Sequence, residues 1–202
     1  EDALYLLVVE QDRVLGGARF TGATGPTLAG AILPELFTDA PPCGEHLLEM
    51  SRLFARSQAA VKDLLSPVIS EVLVAAAELQ RIVGGLGALT IMELRLAQTL
   101  LAWGGHPEPL GLPRRTRDGV LISVITHATA LASRNLRRAR GMTGPAIWWA
   151  DEPDATPVLY ADILRIDPVE PDWLPPEGFT PLERAHMTPH ALAEAYWRTR
   201  MT

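Results

Sequence analysis

Two short runs of this sequence carry ionisable side chains where an apolar strand is expected. Residues 48–54 read Leu-Glu-Met-Ser-Arg-Leu-Phe, and upstream of them residues 16–20 read Gly-Gly-Ala-Arg-Phe. Charged groups are seldom buried without a partner, so an arginine in each of two core-forming strands points to a shared polar pocket around Glu49 that takes an anionic ligand. Glu49 supplies a carboxylate able to accept a proton. Ser51, Arg19 and Arg52 supply hydrogen-bond donors, two of them permanently cationic. On the residues alone a second reading stands beside this one, a structural ion pair between Glu49 and an arginine that fixes strand register.

The elements that must position these groups follow from periodicity. Residues 4–9 are a continuous apolar run, expected as a strand covered on both faces, with a turn at Gln11-Asp12-Arg13 and a hairpin partner over 14–20. Within that partner Gly16 and Gly17 mark a bulge or a close approach of another group. Residues 22–46 are rich in glycine and proline and predict a long loop with one helical turn at Ala31 to Phe37. Beyond the Glu49 strand, Arg56 to Leu65 is polar and helix-compatible, and Ser66-Pro67 is an N-cap followed by proline at the first helical position. The helix so opened should run to about Val83 with Val68, Val72, Ala75, Ala76, Leu79 and Val83 on one stripe and Glu71, Glu78 and Arg81 off it. A strand over Ala88 to Met92, a helix from Leu94 to Trp103 stopped by Gly104-Gly105, a strand over Val120 to Ile125 and a third helix capped by Thr126 and ending at Gly141 complete the expectation. This order describes an α/β fold with a mixed central sheet flanked by helices.

At 202 residues and 48% hydrophobic content the chain is long enough for one sizeable core and too short for two ordinary domains and a linker. Residues 1–141 read as the domain. Residues 142–202, broken by nine prolines from Pro145 to Pro189 and carrying Trp148, Trp149, Trp173 and Trp197, read as an extension packed on it, with a short terminal helix from Ala191 to Arg200. A formal net charge of -6 argues against a nucleic-acid partner, whose phosphates call for a basic surface. Cys43, the single cysteine, has no internal disulfide partner, and neither a secretory leader nor an apolar run of spanning length occurs, so a reducing cytoplasm is expected and no membrane span.

Four stretches occur in a telling order: Asp2-x-x-Tyr5-Leu6-Leu7, Val14 through Phe20, Leu48 through Phe54, and Ala102-Trp103-Gly104-Gly105-His106-x-x-x-Leu110-Gly111. In order and spacing the chain resembles the acyl-homoserine-lactone synthases, the autoinducer synthases of bacterial quorum sensing, over roughly residues 2–125. The most specific element is the Glu-x-Ser-Arg strand paired with the upstream Arg-Phe strand.

The resemblance implies an acyltransferase fold of the GCN5-related kind with a V-shaped cleft between two central strands. It implies that an acyl group passes from acyl carrier protein or acyl-CoA to the amine of S-adenosylmethionine, which then lactonises with release of methylthioadenosine. S-adenosylmethionine is a substrate there, and no prosthetic group is implied. Carried over residue by residue, Glu49 is the base, acting directly or through water. Ser51 and Arg52 line the donor and adenosylmethionine side, Arg19 organises the network, and Asp2 pairs with Arg19. Phe20 and Phe54 complete the substrate-binding set, and Leu89, Thr90, Ile91 and Met92 lie at the acyl-chain pocket, with Met92 and Leu100 limiting chain length. Relatives carry a further N-terminal segment that closes over the substrates, and this lid is expected to be missing here. Two other classes stay open: a noncatalytic relative that binds the acyl donor, and another N-acyltransferase using a coenzyme A thioester.

The remaining motifs point less far. Arg134, Arg137, Arg138 and Arg140 crowd the end of the third helix and Arg114, Arg115 and Arg117 a preceding loop. Interaction with the helix C-terminus and docking of an acidic carrier protein account for them equally well. Arg81 through Gly87 superficially has the look of a pyrophosphate-binding loop, but it closes a helix where such a loop should open one, so a helix C-cap and turn is the better account. His106 is expected at the surface or in packing, and no His/Cys/Asp/Glu spacing suggests a metal site.

Overall fold

The computed structural model describes residues 3–56, 66–117, 119–142 and 146–147. The chain opens with a hairpin of β1 (Ala3–Glu10) and β2 (Arg13–Gly22), then α1 (Leu28–Ile32), a 3-10 turn (Pro34–Leu36) and β3 (Leu47–Ala55). There follow α2 (Pro67–Ile82), β4 (Gly87–Glu93), α3 (Leu94–Ala102), the short strands β5 (Glu108–Pro109) and β6 (Arg114–Thr116), β7 (Gly119–His127) and α4 (Ala130–Ala139). Among the described residues no helix is long and apolar enough to cross a membrane.

The strands form one mixed sheet in the order β1-β2-β3-β4-β7-β5, with β6 paired to β7. Its parallel pair, β3 with β4, decides the shape. Register runs only from Leu47 opposite Gly87 to Glu49 opposite Leu89, although β3 continues to Ala55 and β4 to Glu93. Beyond Glu49 the two strands are no longer hydrogen-bonded to each other, and the sheet opens as the expected V.

Strand parity divides the side chains. Ala18 and Phe20 of β2, Leu48 and Met50 of β3 and Ala88 of β4 pack with Val72, Ala75, Ala76 and Leu79 of α2. Arg19, Glu49 and Ser51 are therefore on the opposite face. On β1 the same rule puts Leu4, Leu6 and Val8 against the α2 core and leaves Tyr5, Leu7 and Val9 exposed. The run 4–9 is thus half-covered rather than doubly covered, because β1 is the sheet's edge and only one layer packs on it.

Helix α2 begins as its sequence dictates: the Ser66 hydroxyl accepts from the Ile69 amide at 3.2 Å, and Pro67 starts the helix. It ends in the glycine turn, where Gly84 adopts φ +69° and the Gly85 amide donates to the Gln80 carbonyl at 2.7 Å. Glu78 and Arg81, off the apolar stripe, are nevertheless buried, because α4 and residues 146–147 cover that side as well.

Two expectations shift. Thr129, not Thr126, caps α4, its hydroxyl accepting from the Ala132 amide at 3.1 Å, because β7 runs on to His127 and holds Thr126 in its ladder with Ala88. The helical turn of the long loop starts earlier, at Leu28, and breaks at Leu33-Pro34 into α1 and the 3-10 turn. The short strands β5 and β6 carry no periodicity long enough to read from sequence. The helix-compatible stretch after Arg56, the tryptophans of the C-terminal extension and its terminal helix lie outside the described residues.

Candidate functional site

The face away from α2 presents cross-strand rows. Ala3, Thr21, Glu49, Leu89 and Ile125 are successive partners in one row, and Tyr5, Arg19 and Ser51 in the next. A third row holds Leu7, Gly17 and Phe54. Side chains directly opposite across an antiparallel pair have Cβ atoms roughly 5 Å apart, and the diagonal neighbours are within reach of long side chains. Arg19 and Ser51 are therefore direct cross-strand neighbours and Glu49 lies one step diagonally from Arg19, at the point where β3 and β4 part.

Glu49 is 5% exposed. Its carboxylate accepts from the backbone amides of Leu28 at 2.8 Å and Ala29 at 2.6 Å, while the Thr27 hydroxyl accepts from Gly30 at 3.1 Å. The first three amides of α1 are thereby satisfied, two of them by a side chain from the sheet. No ion pair joins Glu49 to an arginine among the described residues. The register-fixing salt bridge is thus replaced by a helix terminus, whose partial positive charge serves the same carboxylate. Each oxygen keeps a lone pair for a further donor.

Arg52 owes its position to a bulge. Arg19 pairs with Ser51 and Gly17 with Phe54, so β3 has one residue more than β2 across this step. Arg52 takes φ +53°, a left-handed conformation that an arginine adopts only at a cost of about 1–2 kcal/mol. It is exposed, and neither its guanidinium nor the Ser51 hydroxyl has a side-chain hydrogen bond among the described residues. Arg52 is thus a strained, solvent-exposed arginine on the strand that carries the buried Glu49. The bulge also resets parity: Leu53, not Arg52, turns to the core, and Phe54 returns to the Arg19 face beside Gly17, 43% exposed.

Of the other residues singled out from sequence, Arg19 is buried and belongs to the site face. Phe20 is fully buried in the core beneath α2, on the far face from Glu49. Ile91 shares the face of Glu49, whereas Met92 packs with α2, α3 and α4 residues and Thr90 points to that same side, so the three do not line one wall. Leu100 belongs to the same cluster as Met92. Asp2 lies outside the described residues, and His106 is exposed, as expected. The strap of α1 and the 3-10 turn is fastened across the sheet. The Ser123 hydroxyl donates to the Leu36 carbonyl, and Arg114 Nε donates to the Glu35 carbonyl at 2.8 Å.

Sequence reasoning missed the partners of two buried carboxylates. The partner of Glu49 is the Thr27-Leu-Ala-Gly cap, whose signal is short and sits inside a Gly/Pro-rich loop. The other is Glu78, whose carboxylate accepts from the Ala146 amide at 2.7 Å and faces Arg137 Nε at 3.5 Å. Burial pushes its carboxyl above the ordinary value, against the Ala146 amide, Arg137 and Arg81, which pull it down. The apolar residues on both sides of α2 were the available signal.

Against this geometry, the family model described as autoinducer synthase matches residues 1–129. The chain belongs to the autoinducer synthase family. It is an acyltransferase of acyl-homoserine lactone synthesis. Among solved structures this autoinducer synthase is similar to MesI, a CoA-dependent acyl-homoserine lactone synthase, at 28% identity and TM-score 0.64 over 72% of each chain. It is also similar to BjaI, a CoA-dependent acyl-homoserine lactone synthase solved with SAM and isopentyl-CoA. There the identity is 26% and the TM-score 0.60, over 70% of this chain and 66% of BjaI. The synthase LasI, at 21% identity and TM-score 0.57 over 64% of this chain and 66% of its own, shares the fold. The GNAT-like fold of these enzymes is the mixed sheet with its split between β3 and β4.

Proposed function

We propose that the end of β3–β4 pairing at Glu49 is the reaction centre, where the amine of S-adenosylmethionine attacks an acyl thioester. Glu49 takes the proton from the amine, directly or through water, on a lone pair left free by the α1 amides. The attacked carbonyl oxygen becomes an oxyanion. Ser51 and Arg52, with no side-chain partners among the described residues, are the donors available to it and to the substrate carboxylate. The thiolate then leaves. In the second step the methionyl carboxylate displaces methylthioadenosine from the sulfonium-bearing carbon and closes the lactone. Arg19 holds the polar row in place, with Asp2 as its partner, and Phe54 forms the apolar rim. Ile91 lines the near side of the cleft, and Thr90 and Met92 its helix side. Phe20 acts from beneath, as the core on which Arg19 stands.

The observation that carries this reading is the convergence of Glu49, Arg19 and Ser51 on one face where β3–β4 pairing ends. Residues 1–141 form the catalytic unit in this reading, and 142–202 an extension. Burial of Ile147 in the α2 core supports the extension's packing on that unit. We assign the reaction to the bacterial cytoplasm, where both substrates are made.

The donor in this reading is a coenzyme A thioester. Similarity to two CoA-dependent synthases supports it, and so does the fate of the α4 arginines. Arg137 faces Glu78 and the Arg140 guanidinium lies over the Trp103 ring, 5.2 Å from its centroid. Only Arg134 and Arg138 of that cluster are exposed for an acidic carrier protein. The test is incubation with S-adenosylmethionine and either acyl-CoA or acyl carrier protein, followed by mass spectrometry. Methylthioadenosine and an acylated lactone are expected with acyl-CoA. Donor binding without methylthioadenosine would instead indicate a noncatalytic relative, and thiol release only with another amine a different acyltransferase. The double change Arg134→Glu, Arg138→Glu should leave acyl-CoA turnover intact. A selective loss with the carrier protein would reassign the donor.

A further inference from the structure

Among the described residues the helix side of the sheet carries two apolar clusters. One, under β1 to β3, contains Phe20, Leu48, Met50, Val72 and Leu79; the other, under β4 and β7, contains Leu73, Met92, Leu96, Ile122 and Val124. Helix α2 contributes to both, and Ala88 of β4 belongs to the first while Met92 belongs to the second, so the division falls along β4 beside the stretch where β3 and β4 are no longer paired. Among the described residues just two side chains pack against both clusters, Leu53 and Ala146. They bridge the two clusters across this seam.

Both are put there by specific devices. Regular alternation after Leu48 and Met50 would turn Arg52 toward α2 and drive its guanidinium into the seam. The bulge at Arg52 passes that place to Leu53. Ala146 is held from behind by Glu78, which is 0% exposed and whose Oε2 accepts the Ala146 amide at 2.7 Å. Arg137 of α4 faces the other oxygen at 3.5 Å, and Arg81 lies within its field. The acyl-transfer chemistry makes no use of this carboxylate. A buried charge with two arginines about it is expensive to keep unless it fixes something.

We propose that Glu78 is a positioning residue that, by holding Ala146 beside Leu53 at the seam, sets how long an acyl chain the cleft accepts. This rests on the acyl-transfer reading. A thioester reacting at Glu49 has its chain directed between the parted strands, where no ladder has to break. Two clusters joined through a leucine and an alanine admit a chain between them more readily than a single close-packed core would. The chain meets Leu53 first and Ala146 beyond it.

The test is the profile of kcat/KM over short, medium and long saturated acyl-CoA thioesters, with dissociation constants for the same series by calorimetry and folding monitored by far-UV circular dichroism. Leu53→Ala should move the optimum to longer chains and Ala146→Leu to shorter ones, each by about tenfold between neighbouring lengths. Glu78→Gln keeps an oxygen for the Ala146 amide and should keep the wild-type optimum, whereas Glu78→Leu should broaden it. If Glu78→Leu does not fold, Glu78→Asp, one methylene too short to hold Ala146 in place, carries the same expectation. An unchanged optimum in folded Leu53→Ala and Ala146→Leu overturns the seam, and identical profiles for Glu78→Gln and the disrupting variant overturn the role of Glu78. Should the wild type release no methylthioadenosine with any donor, the acyl-transfer reading fails and the dissociation constants decide the seam. A length optimum that moves with Leu53 and Ala146 supports it, and a flat series overturns it.

Discussion

Replacing Glu49 by glutamine perturbs fold and chemistry through one carboxylate. Glu49 is 5% exposed and accepts two backbone amides, at 2.8 and 2.6 Å. Glutamine offers one oxygen and one amino group, so one of the α1 amides is left facing a donor. A buried amide without an acceptor costs about 1–3 kcal/mol. Loss of the negative charge at the helix terminus adds about 0.3–1 kcal/mol. The sum, roughly 1.5–4 kcal/mol, lowers Tm by about 3–16 °C for a chain of this size. As the proton acceptor Glu49 should also contribute about 10²–10⁴ to turnover. The assay is thermal unfolding together with methylthioadenosine release, the latter at a temperature where both proteins are folded. Thr27→Ala is the control: it removes the cap on Gly30, costs about 1 kcal/mol, and leaves the carboxylate in place. An unchanged Tm for Glu49→Gln refutes the helix-terminus account, and unchanged turnover refutes the base. Loss of turnover in Thr27→Ala equal to that in Glu49→Gln would mean that α1, not the carboxylate, is what the reaction needs.

Arg52→Gly relieves the positive φ while removing the donor, so stability should be unchanged or raised by up to about 1 kcal/mol in urea unfolding, and turnover should fall. A large destabilisation would show that the guanidinium is structural. Gly16→Ala should destabilise by about 1–3 kcal/mol, because a Cβ there meets the Val68 side chain and lies 2.7 Å from the Phe54 carbonyl oxygen; an unaltered urea midpoint would refute this close approach. Burial raises the Glu78 carboxyl above its ordinary 4.5, so the folded protein holds that proton more tightly than the unfolded chain does. Wild type should therefore lose stability relative to Glu78→Gln as pH rises from 4.5 through the folded value. Parallel stability curves for the two proteins across that range would contradict it.

Much of this was legible because local signals and the fold agree. Ser66-Pro67 opens α2, Gly104 stops α3 at φ +78°, and Arg19 and Glu49 of the β2 and β3 runs come to one face of the sheet. The pairing of Arg19 with Ser51 could be expected once the two runs were adjacent strands. Thr126 misled because a cap residue and a strand residue look alike until the ladder is known. Glu78 misled because an off-stripe carboxylate is normally solvated, and only the arrival of α4 and residue 146 buries it.

The sequence by itself determined the longer helices and strands, the apolar stripe of α2, and which ionisable side chains lie inside apolar runs. These are properties of neighbours along the chain, fixed by backbone sterics, capping and periodicity. Only the tertiary structure decided that β3 and β4 part at Glu49, that a distant loop supplies its amide partners, that one extra residue turns Arg52 outward and Leu53 inward, and that the core splits in two. Each of these depends on register between segments remote in sequence, where a shift of one residue exchanges the faces of a strand, and no local preference is strong enough to choose between them.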